Sequence, residues 1–158
     1  MNGQHQRPGA GRGARGGFTL LELLTVVVVL GIVSAITIPA TSNMLAQTRV
    51  SKAATMISSD LQTAFSIAAR EKRPLVVTVT AAEERYLIAD RDGEVIVRRS
   101  FATGSEDLSV NSMTTNVAQL HIYPNGMASG ILRITVVVGD HTRRVQMSRV
   151  GHIRVSAP

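Results

Sequence analysis

The sequence contains no cysteine and no tryptophan, and its phenyl-type rings are limited to three phenylalanines and two tyrosines. Without cysteine, neither a disulfide framework nor a thiolate metal site can form, so any folded domain depends on its apolar core. The scarcity of aromatic rings argues against a stacking platform for single-stranded nucleic acid. The length of 158 residues suffices for one small domain and a membrane segment.

Acidic residues are missing from residues 1–17, MNGQHQRPGAGRGARGG, which are rich in glycine and carry Arg7, Arg12 and Arg15. No apolar core can form from this composition. The excess of positive charge before an apolar segment predicts a leader on the cytoplasmic side of a membrane.

The next segment has a single charge, Glu22, between Phe18 and Pro39. A helix of this length, rising about 1.5 Å per residue, spans a hydrocarbon core of about 30 Å. A cleaved secretory signal would have a shorter apolar stretch without an acid. The sequence therefore predicts a transmembrane or filament-core helix over residues 18–40.

A second, amphipathic helix is predicted over residues 41–73. We expect Pro39 to weaken or kink the first helix, and Thr41, Ser42 and Asn43 to cap a restarting one. Pro74 marks its end. The apolar residues that recur at helical spacing are Ala53, Met56, Ile57, Leu61, Ala64, Phe65 and Ala68.

From residue 74 to residue 158 the pattern changes to the alternation of a β domain. Asp92 and Gly93 form a hairpin signal between two strand-like runs, and Gly139-Asp140 marks another turn. Residues 102–116 are polar and without a pattern, which predicts a loop. The fold class is therefore α+β, with a long N-terminal helix packed on one small antiparallel sheet. Alternation predicts inward side chains along the remaining strands at Leu120, Ile122, Leu132, Ile134, Val136, Val138, Val145, Met147, Ile153 and Val155.

The stretch GGFTLLELLTVVVVLGIVSAITIP resembles the class III signal of type IV pilins and type II secretion pseudopilins, which also have a pilin-like fold. A glycine, an aromatic start and a glutamate four residues later at the head of an apolar helix form a specific combination. The matching positions are Gly17, Phe18, Thr19, Leu20, Glu22, Gly31 and Pro39.

The C-terminal stretch IYPNGMASGILRITVVVGDHTRRVQMSRVGHIRV resembles the GspH/FimT family of minor pseudopilins and minor pilins. That family has an aromatic residue, a turn with proline and glycine, two strands of which the second is basic, and a final strand led by glycine. The matching positions are Tyr123, Asn125, Gly126, Arg143, Arg144 and Gly151.

The resemblance implies cleavage by an inner-membrane prepilin peptidase between Gly17 and Phe18, followed by N-methylation of Phe18. The new cationic amine of Phe18 can then pair with Glu22 of a neighbouring subunit when helices pack into a filament. Two interpretations of Gly31 stay open, close helix packing or a tolerated small residue. Two interpretations of Pro39 also stay open. It could form a kink that helps extraction from the bilayer, or it could simply mark the end of the membrane helix.

No catalytic or metal-binding constellation is recognisable, so we expect neither an enzyme nor a cofactor. The four histidines lack a metal-binding spacing such as H-E-x-x-H. The stretch DRDGE, from Asp90, resembles the start of a calcium loop but lacks its terminal glutamate, and a hairpin turn explains it better.

Two functions follow from the resemblance. The first is a minor pseudopilin of a type II secretion system, anchored in the inner membrane and assembled with other major and minor pseudopilins into a periplasmic pseudopilus. The second is a FimT-like minor pilin of a type IV pilus that contributes to pilus assembly or to DNA binding and uptake. Such members carry Gly-Arg-x-Arg, but His152 stands at the position of the first arginine here. A histidine is a weaker phosphate contact than an arginine, because an arginine is always charged. The candidate anion or DNA contacts are Arg143, Arg144, Arg149 and Arg154.

Overall fold

A long helix leads into a β domain in the computed structural model, which describes residues 18–105 and 108–157. Within these ranges, the side chains of residues 36–41 are not described. Helix α1 runs from Leu20 to Glu71. It ends where Lys72 adopts a left-handed conformation with φ of 54°, which stops the helical repeat two residues before Pro74.

Within the described residues, eight strands form two antiparallel four-stranded sheets, with the orders β3-β2-β1-β5 and β4-β6-β7-β8. We call them the first and the second sheet. A short 3-10 turn at Ala81–Glu83 joins β1 to β2. The strands are β1 (Leu75–Thr80), β2 (Arg85–Asp90), β3 (Val95–Ser100), β4 (Ser112–Thr115), β5 (Gln119–Ile122), β6 (Leu132–Val138), β7 (His141–Met147) and β8 (Ile153–Ser156).

One apolar core joins the C-terminal half of α1 to both sheets. Its helix residues follow the 3.6-residue period, and alanines among them let the helix backbone lie close to the strands. The strands alternate between inward apolar and outward polar side chains, as the burial of every second residue in β1 and β6 shows. The helix residues buried in this core are Val50, Ala53, Ala54, Ile57, Leu61, Ala64 and Ala68.

The α+β fold with a long helix packed on antiparallel strands is confirmed, but the prediction of one sheet is wrong. Alternation shows which face of a strand points inward and does not show which strands pair. The prediction of a loop over residues 102–116 is also wrong in part, because β4 pairs with β6 there. Only Met113 of β4 is buried, so this short edge strand has no apolar alternation to reveal it. Val155, expected inward, is 44% exposed on the edge strand β8.

The predicted new start of a helix at Thr41–Asn43 is wrong as well. Helix α1 is one element through Pro39, although a proline removes one hydrogen bond of the helical ladder and its ring opposes the carbonyl four residues earlier. Across the part of the chain that the structure describes, no helix combines the length and the apolarity needed to cross a membrane. The transmembrane segment over residues 18–40 stays a prediction.

Candidate assembly and anion-binding sites

The N-terminus of α1 is capped by Thr19. The Oγ1 atom of Thr19 accepts a hydrogen bond from the backbone N–H of Glu22 at 3.2 Å. Thr19 is thus the N-cap residue and Glu22 the third helical residue, which is the spacing of a capping box. The motif T-x-x-E is visible in the sequence, but this helix cap was not among the features predicted from it. The reciprocal bond of that motif, from the backbone N–H of Thr19 to the Glu22 carboxylate, is not formed between these two described residues, so the local role of the Glu22 side chain is its negative charge at the positive end of the helix dipole.

The carboxylate of Glu22 remains available for another chain. It is solvent-exposed, and within residues 18–105 and 108–157 it has no hydrogen-bond or ion-pair partner. Phe18, one residue before the cap, is 78% exposed. Both ends of the predicted intermolecular pair are accessible in the isolated chain.

Of the other predicted assembly residues, the structure describes Gly31 fully, and Gly17 and Pro39 only in part or not at all. A Cβ atom added at Gly31 would have no neighbour within 4 Å, so the isolated chain gives no internal reason for a glycine there. Gly17 and the side chain of Pro39 lie outside the described residues. The predicted roles of these residues therefore stay predictions.

The four predicted anion contacts do not share one face of the second sheet. The register pairs Thr135 with Arg144, and Gln146 with both Arg133 and Arg154. Since alternate residues of a strand point to the same side, Arg133, Arg144 and Arg154 lie on the outer face, opposite the buried Val145.

The remaining two arginines lie elsewhere. Arg143 pairs with the buried Val136, so it lies on the inner side of β7, where it is half-buried. Arg149 lies in the turn before β8, where its carbonyl oxygen accepts the N–H of Ala128 at 2.7 Å. The structure thus brings Arg133, missed as a candidate, together with Arg144 and Arg154. The alternation of β6 and β7 was the signal that could have found it.

This outer basic face has no described counter-charge. Within residues 18–105 and 108–157, none of the three arginines pairs with a carboxylate. Two arginines near the first sheet, Arg73 and Arg99, are in contrast paired with carboxylates. The guanidinium of Arg99 donates to Asp60 at 2.9 Å, and that of Arg73 donates to Asp90, and to Glu94 at 3.0 Å. The bond to Glu94 raises the pKa of Arg73.

Gly151 sets the position of the turn that leads into β8. Its φ of +75° lies in the left-handed region, and an added Cβ atom would meet the ring of Phe65 on α1 at 3.0 Å. Only a glycine lets this turn lie directly on the helix. Since Arg154 follows three residues later, this contact also positions one edge of the outer basic face.

The stretch DRDGE forms a hairpin turn. The Oδ1 atom of Asp90 accepts the backbone N–H groups of Asp92 at 3.0 Å and Glu94 at 2.8 Å, and its Oδ2 atom accepts Arg73. These bonds occupy the carboxylate that a calcium ion would need. No group of three or more histidine, aspartate or glutamate side chains suited to a metal ion occurs among the described residues.

Comparison with known protein families gives two matches, one to the N-terminal segment and one to the C-terminal part of the chain. Residues 12–38 match the prokaryotic N-terminal methylation motif, and residues 53–151 match the type II transport protein GspH family. Two fimbrial proteins of Pseudomonas aeruginosa are each 38% identical over 73 residues, which is 46% of this chain and 47% of theirs. The chain thus spans about half the length of the curated relatives it matches.

Two solved structures share the fold. The minor pseudopilin EpsH from the type 2 secretion system of Vibrio cholerae has a TM-score of 0.54 at 13% identity, over 70% of this chain and 98% of EpsH. The type IV minor pilin FimU of Pseudomonas aeruginosa has a TM-score of 0.53 at 17% identity, over 69% of this chain and 92% of FimU. The fold is therefore that of minor pilins and pseudopilins.

The motif, the fold and the family match agree with one another. They define a structural subunit of the type IV pilin class, with an exposed apolar helix and a globular domain. Within this class the chain belongs to the GspH family, whose match covers more than half of its length.

Proposed function

We propose that the chain is a minor pseudopilin of a type II secretion system. In this role it is a structural, non-catalytic subunit of a periplasmic pseudopilus that helps to export folded proteins across the outer membrane. The observation that supports this most directly is the match of most of the globular part, residues 53–151, to the type II transport protein GspH family. The chain would assemble with other major and minor pseudopilins.

Processing and location follow from the N-terminal motif. We expect the prepilin peptidase to cut between Gly17 and Phe18 and to methylate the new amine of Phe18, and the match of residues 12–38 supports this. Before assembly, residues 18–40 would anchor the chain in the inner membrane. The basic leader would then be cytoplasmic and the β domain periplasmic.

Glu22 would align each incoming subunit. A charge in the middle of a bilayer costs about 2.5–3.5 kcal/mol on insertion scales, and less near an interface. Pairing with the cationic Phe18 amine of a neighbour would relieve that cost only in the filament. The exposed and unpaired carboxylate of Glu22 supports an intermolecular partner, while its position next to the Thr19 cap supports a second, local role.

Three substitutions separate these roles. Glutamine serves at the third position of a capping box, so Glu22→Gln should keep the helix start while it removes the charge. We expect Glu22→Gln and Glu22→Ala to insert into the membrane normally and to fail in pseudopilus incorporation, measured by cross-linking to sibling subunits. Thr19→Ala, which removes the cap and keeps the charge, is the matched control and should still be incorporated. Normal incorporation of Glu22→Gln would refute the pairing.

A second candidate function is supported by the outer basic face. A FimT-like minor pilin of a type IV pilus could use Arg144 and Arg154, with Arg133, to contact DNA phosphates. In that case DNA affinity should fall with added salt and with Arg144→Ala or Arg154→Ala, but little with the inward-facing Arg143→Ala. Deletion of the gene would distinguish the systems, since loss of protein secretion supports the first function and loss of pili or DNA uptake supports the second.

A further inference from the structure

A cleft of about 410 Å³ opens on the outer face of the second sheet, where β4, β6 and β7 lie side by side. We call it the arginine cleft. Its two charged side chains are Arg133 and Arg144, which are diagonal neighbours across β6 and β7. Diagonal positions on one face of a sheet are within reach of long side chains. The residues that line the cleft are Thr114, Thr115, Asn116, Arg133, Thr135 and Arg144.

The rim of the cleft is held by its own hydrogen bonds. The Oδ1 atom of Asn116 accepts the backbone N–H of Arg133 at 2.6 Å, and its Nδ2 atom donates to the carbonyl of Ile131 at 2.9 Å. The hydroxyl of Thr115 donates to the carbonyl of Val117 at 2.8 Å. These two side chains therefore shape the site and leave little capacity for a ligand.

The other lining groups lack internal partners. Within residues 18–105 and 108–157, the guanidinium groups of Arg133 and Arg144 and the hydroxyls of Thr114 and Thr135 form no hydrogen bond or ion pair. Thr135 lies between Thr114 and Arg144 in the register of the sheet. The cleft thus collects two guanidinium groups and two hydroxyls that have no hydrogen-bond partner among the described residues, and a guanidinium can only donate.

The charge balance of the second sheet makes this arrangement costly without a ligand. Between residues 108 and 157 the sequence has one acidic residue, Asp140, which lies in the turn between β6 and β7. Arg133 and Arg144 are diagonal neighbours, so their repulsion is weaker than that of directly opposite like charges, but no described carboxylate on this face compensates it. An incoming oxyanion would remove that repulsion, and two guanidinium forks can bind it with several charge-assisted hydrogen bonds.

We propose that the arginine cleft binds a carboxylate group from an acidic segment of another protein subunit. The proposal builds on the proposed function, because a filament subunit contacts its siblings through the surface of its β domain. A protein carboxylate fits better than a nucleic acid, since no aromatic ring lines the cleft to stack on a base. The two arginines also converge on one site instead of following an extended phosphate backbone.

The test measures binding of a fluorescent oligoglutamate peptide to the full-length chain in a non-ionic detergent, by fluorescence anisotropy. A labelled DNA oligonucleotide of equal charge serves as the second probe. We expect the peptide to bind more tightly than the DNA. Because each guanidinium would contribute charge-assisted hydrogen bonds to the carboxylate, the double variant Arg133→Ala with Arg144→Ala should weaken peptide binding at least about tenfold.

Two further variants control for charge and geometry. Arg98→Ala removes one arginine from the outer face of the first sheet, and it should leave peptide affinity unchanged. The double variant Arg133→Lys with Arg144→Lys keeps both charges but loses the planar forks, so its affinity should lie between those of the parent and the alanine variant. Circular dichroism of each variant verifies that the β domain is folded.

Three results would overturn the proposal. The first is equal weakening by Arg98→Ala and by the alanine pair, which would mean unspecific charge attraction. The second is tighter binding of DNA than of peptide with the same loss in the alanine pair, which would make the cleft a phosphate site. The third is no peptide binding by the folded parent. If incorporation still depends on Glu22 in that last case, the carboxylate site fails while the proposed filament function stands.

Discussion

The two halves of helix α1 both carry many apolar side chains, but these side chains lie in opposite environments. From Leu20 to Val33 the apolar side chains are exposed, including Leu24 at 55%. From Val50 to Ala68 one stripe of the helix is buried against the sheets. The second half thus completes its core within the chain, whereas the apolar surface of the first half is not covered by any of the described residues.

This difference divides the effects of substitution into two classes. Changes in the second half should alter the stability of the isolated chain. Changes in the first half should alter assembly while the β domain keeps its stability. Four predictions test this division, beginning with the largest effect.

The largest effect is expected for Leu61→Ala, because Leu61 is fully buried between α1 and the sheets. The lost contacts and the cavity should lower the free energy of unfolding by about 3 kcal/mol. Leu24→Ala is the matched change in the first half and should leave that free energy unchanged while it weakens filament incorporation. Urea denaturation in detergent, followed by circular dichroism, measures the free energy of unfolding of both variants. Equal destabilisation by the two variants would contradict the division.

The next effect concerns Tyr86, which joins the first sheet to α1. Its hydroxyl donates to Asp60 at 2.6 Å, and burial together with that bond raises the pKa of Tyr86. The unfolded chain ionises near the ordinary value of 10.0 while the folded chain keeps the proton. The stability from this group is therefore complete below pH 10 and falls as the pH rises further, by about 1.4 kcal/mol per pH unit.

Comparison with Tyr86→Phe isolates this contribution. The variant loses the hydroxyl and keeps the ring beside Phe101, so its unfolding free energy should decline less above pH 10. Thermal unfolding over this alkaline range measures the difference in slope. Parallel curves for the parent and the variant would mean that Tyr86 does not couple folding to pH.

A smaller effect is expected at the contact between α1 and the turn before β8. Gly151→Ala places a methyl group at 3.0 Å from Phe65 and at a φ of +75°. Gly126→Ala has a nearly equal φ of +78° but no neighbour within 4 Å, so it measures the backbone cost alone. We expect about 1 kcal/mol of destabilisation from the backbone in both, and at least about 1 kcal/mol more in Gly151→Ala from crowding. Equal losses would show that Phe65 moves aside freely.

The smallest effect on the isolated chain is expected for Gly31→Ala. The new methyl group meets open space, and alanine favours a helix by about 1 kcal/mol over glycine. Helicity should therefore rise slightly or stay constant, while cross-linking to sibling subunits falls if Gly31 packs against a neighbouring helix. Unchanged cross-linking would favour the other interpretation, in which Gly31 is a tolerated small residue.

Local patterns predicted several elements correctly because their causes are local. The helical spacing that includes Ile57 and Leu61 predicted the buried face of α1, and Asp92-Gly93 predicted the turn between β2 and β3. The predicted end of the helix near Pro74 was two residues late, because Lys72 stops it by its own conformation.

Other features were not predictable because distant contacts decide them. Strand β4 has little apolar content and exists because β6 offers it backbone hydrogen bonds. The division into two sheets depends on β5 joining β1 and β6 joining β4, which alternation does not encode. The predicted new helix start after Pro39 overestimated the effect of one missing hydrogen bond.

The candidate sites divide in the same way. The sequence by itself determined the methylation motif, the helix cap at Thr19, and the side of the strand on which each arginine lies, since side-chain direction has a period of two residues. Only the tertiary structure decided that Arg133 and Arg144 share a cleft with Thr114 and Thr135, and that Gly151 lies on Phe65. The reason is physical: side-chain direction is set within a strand, whereas neighbours across a sheet or on a helix are set by which distant segments pack together.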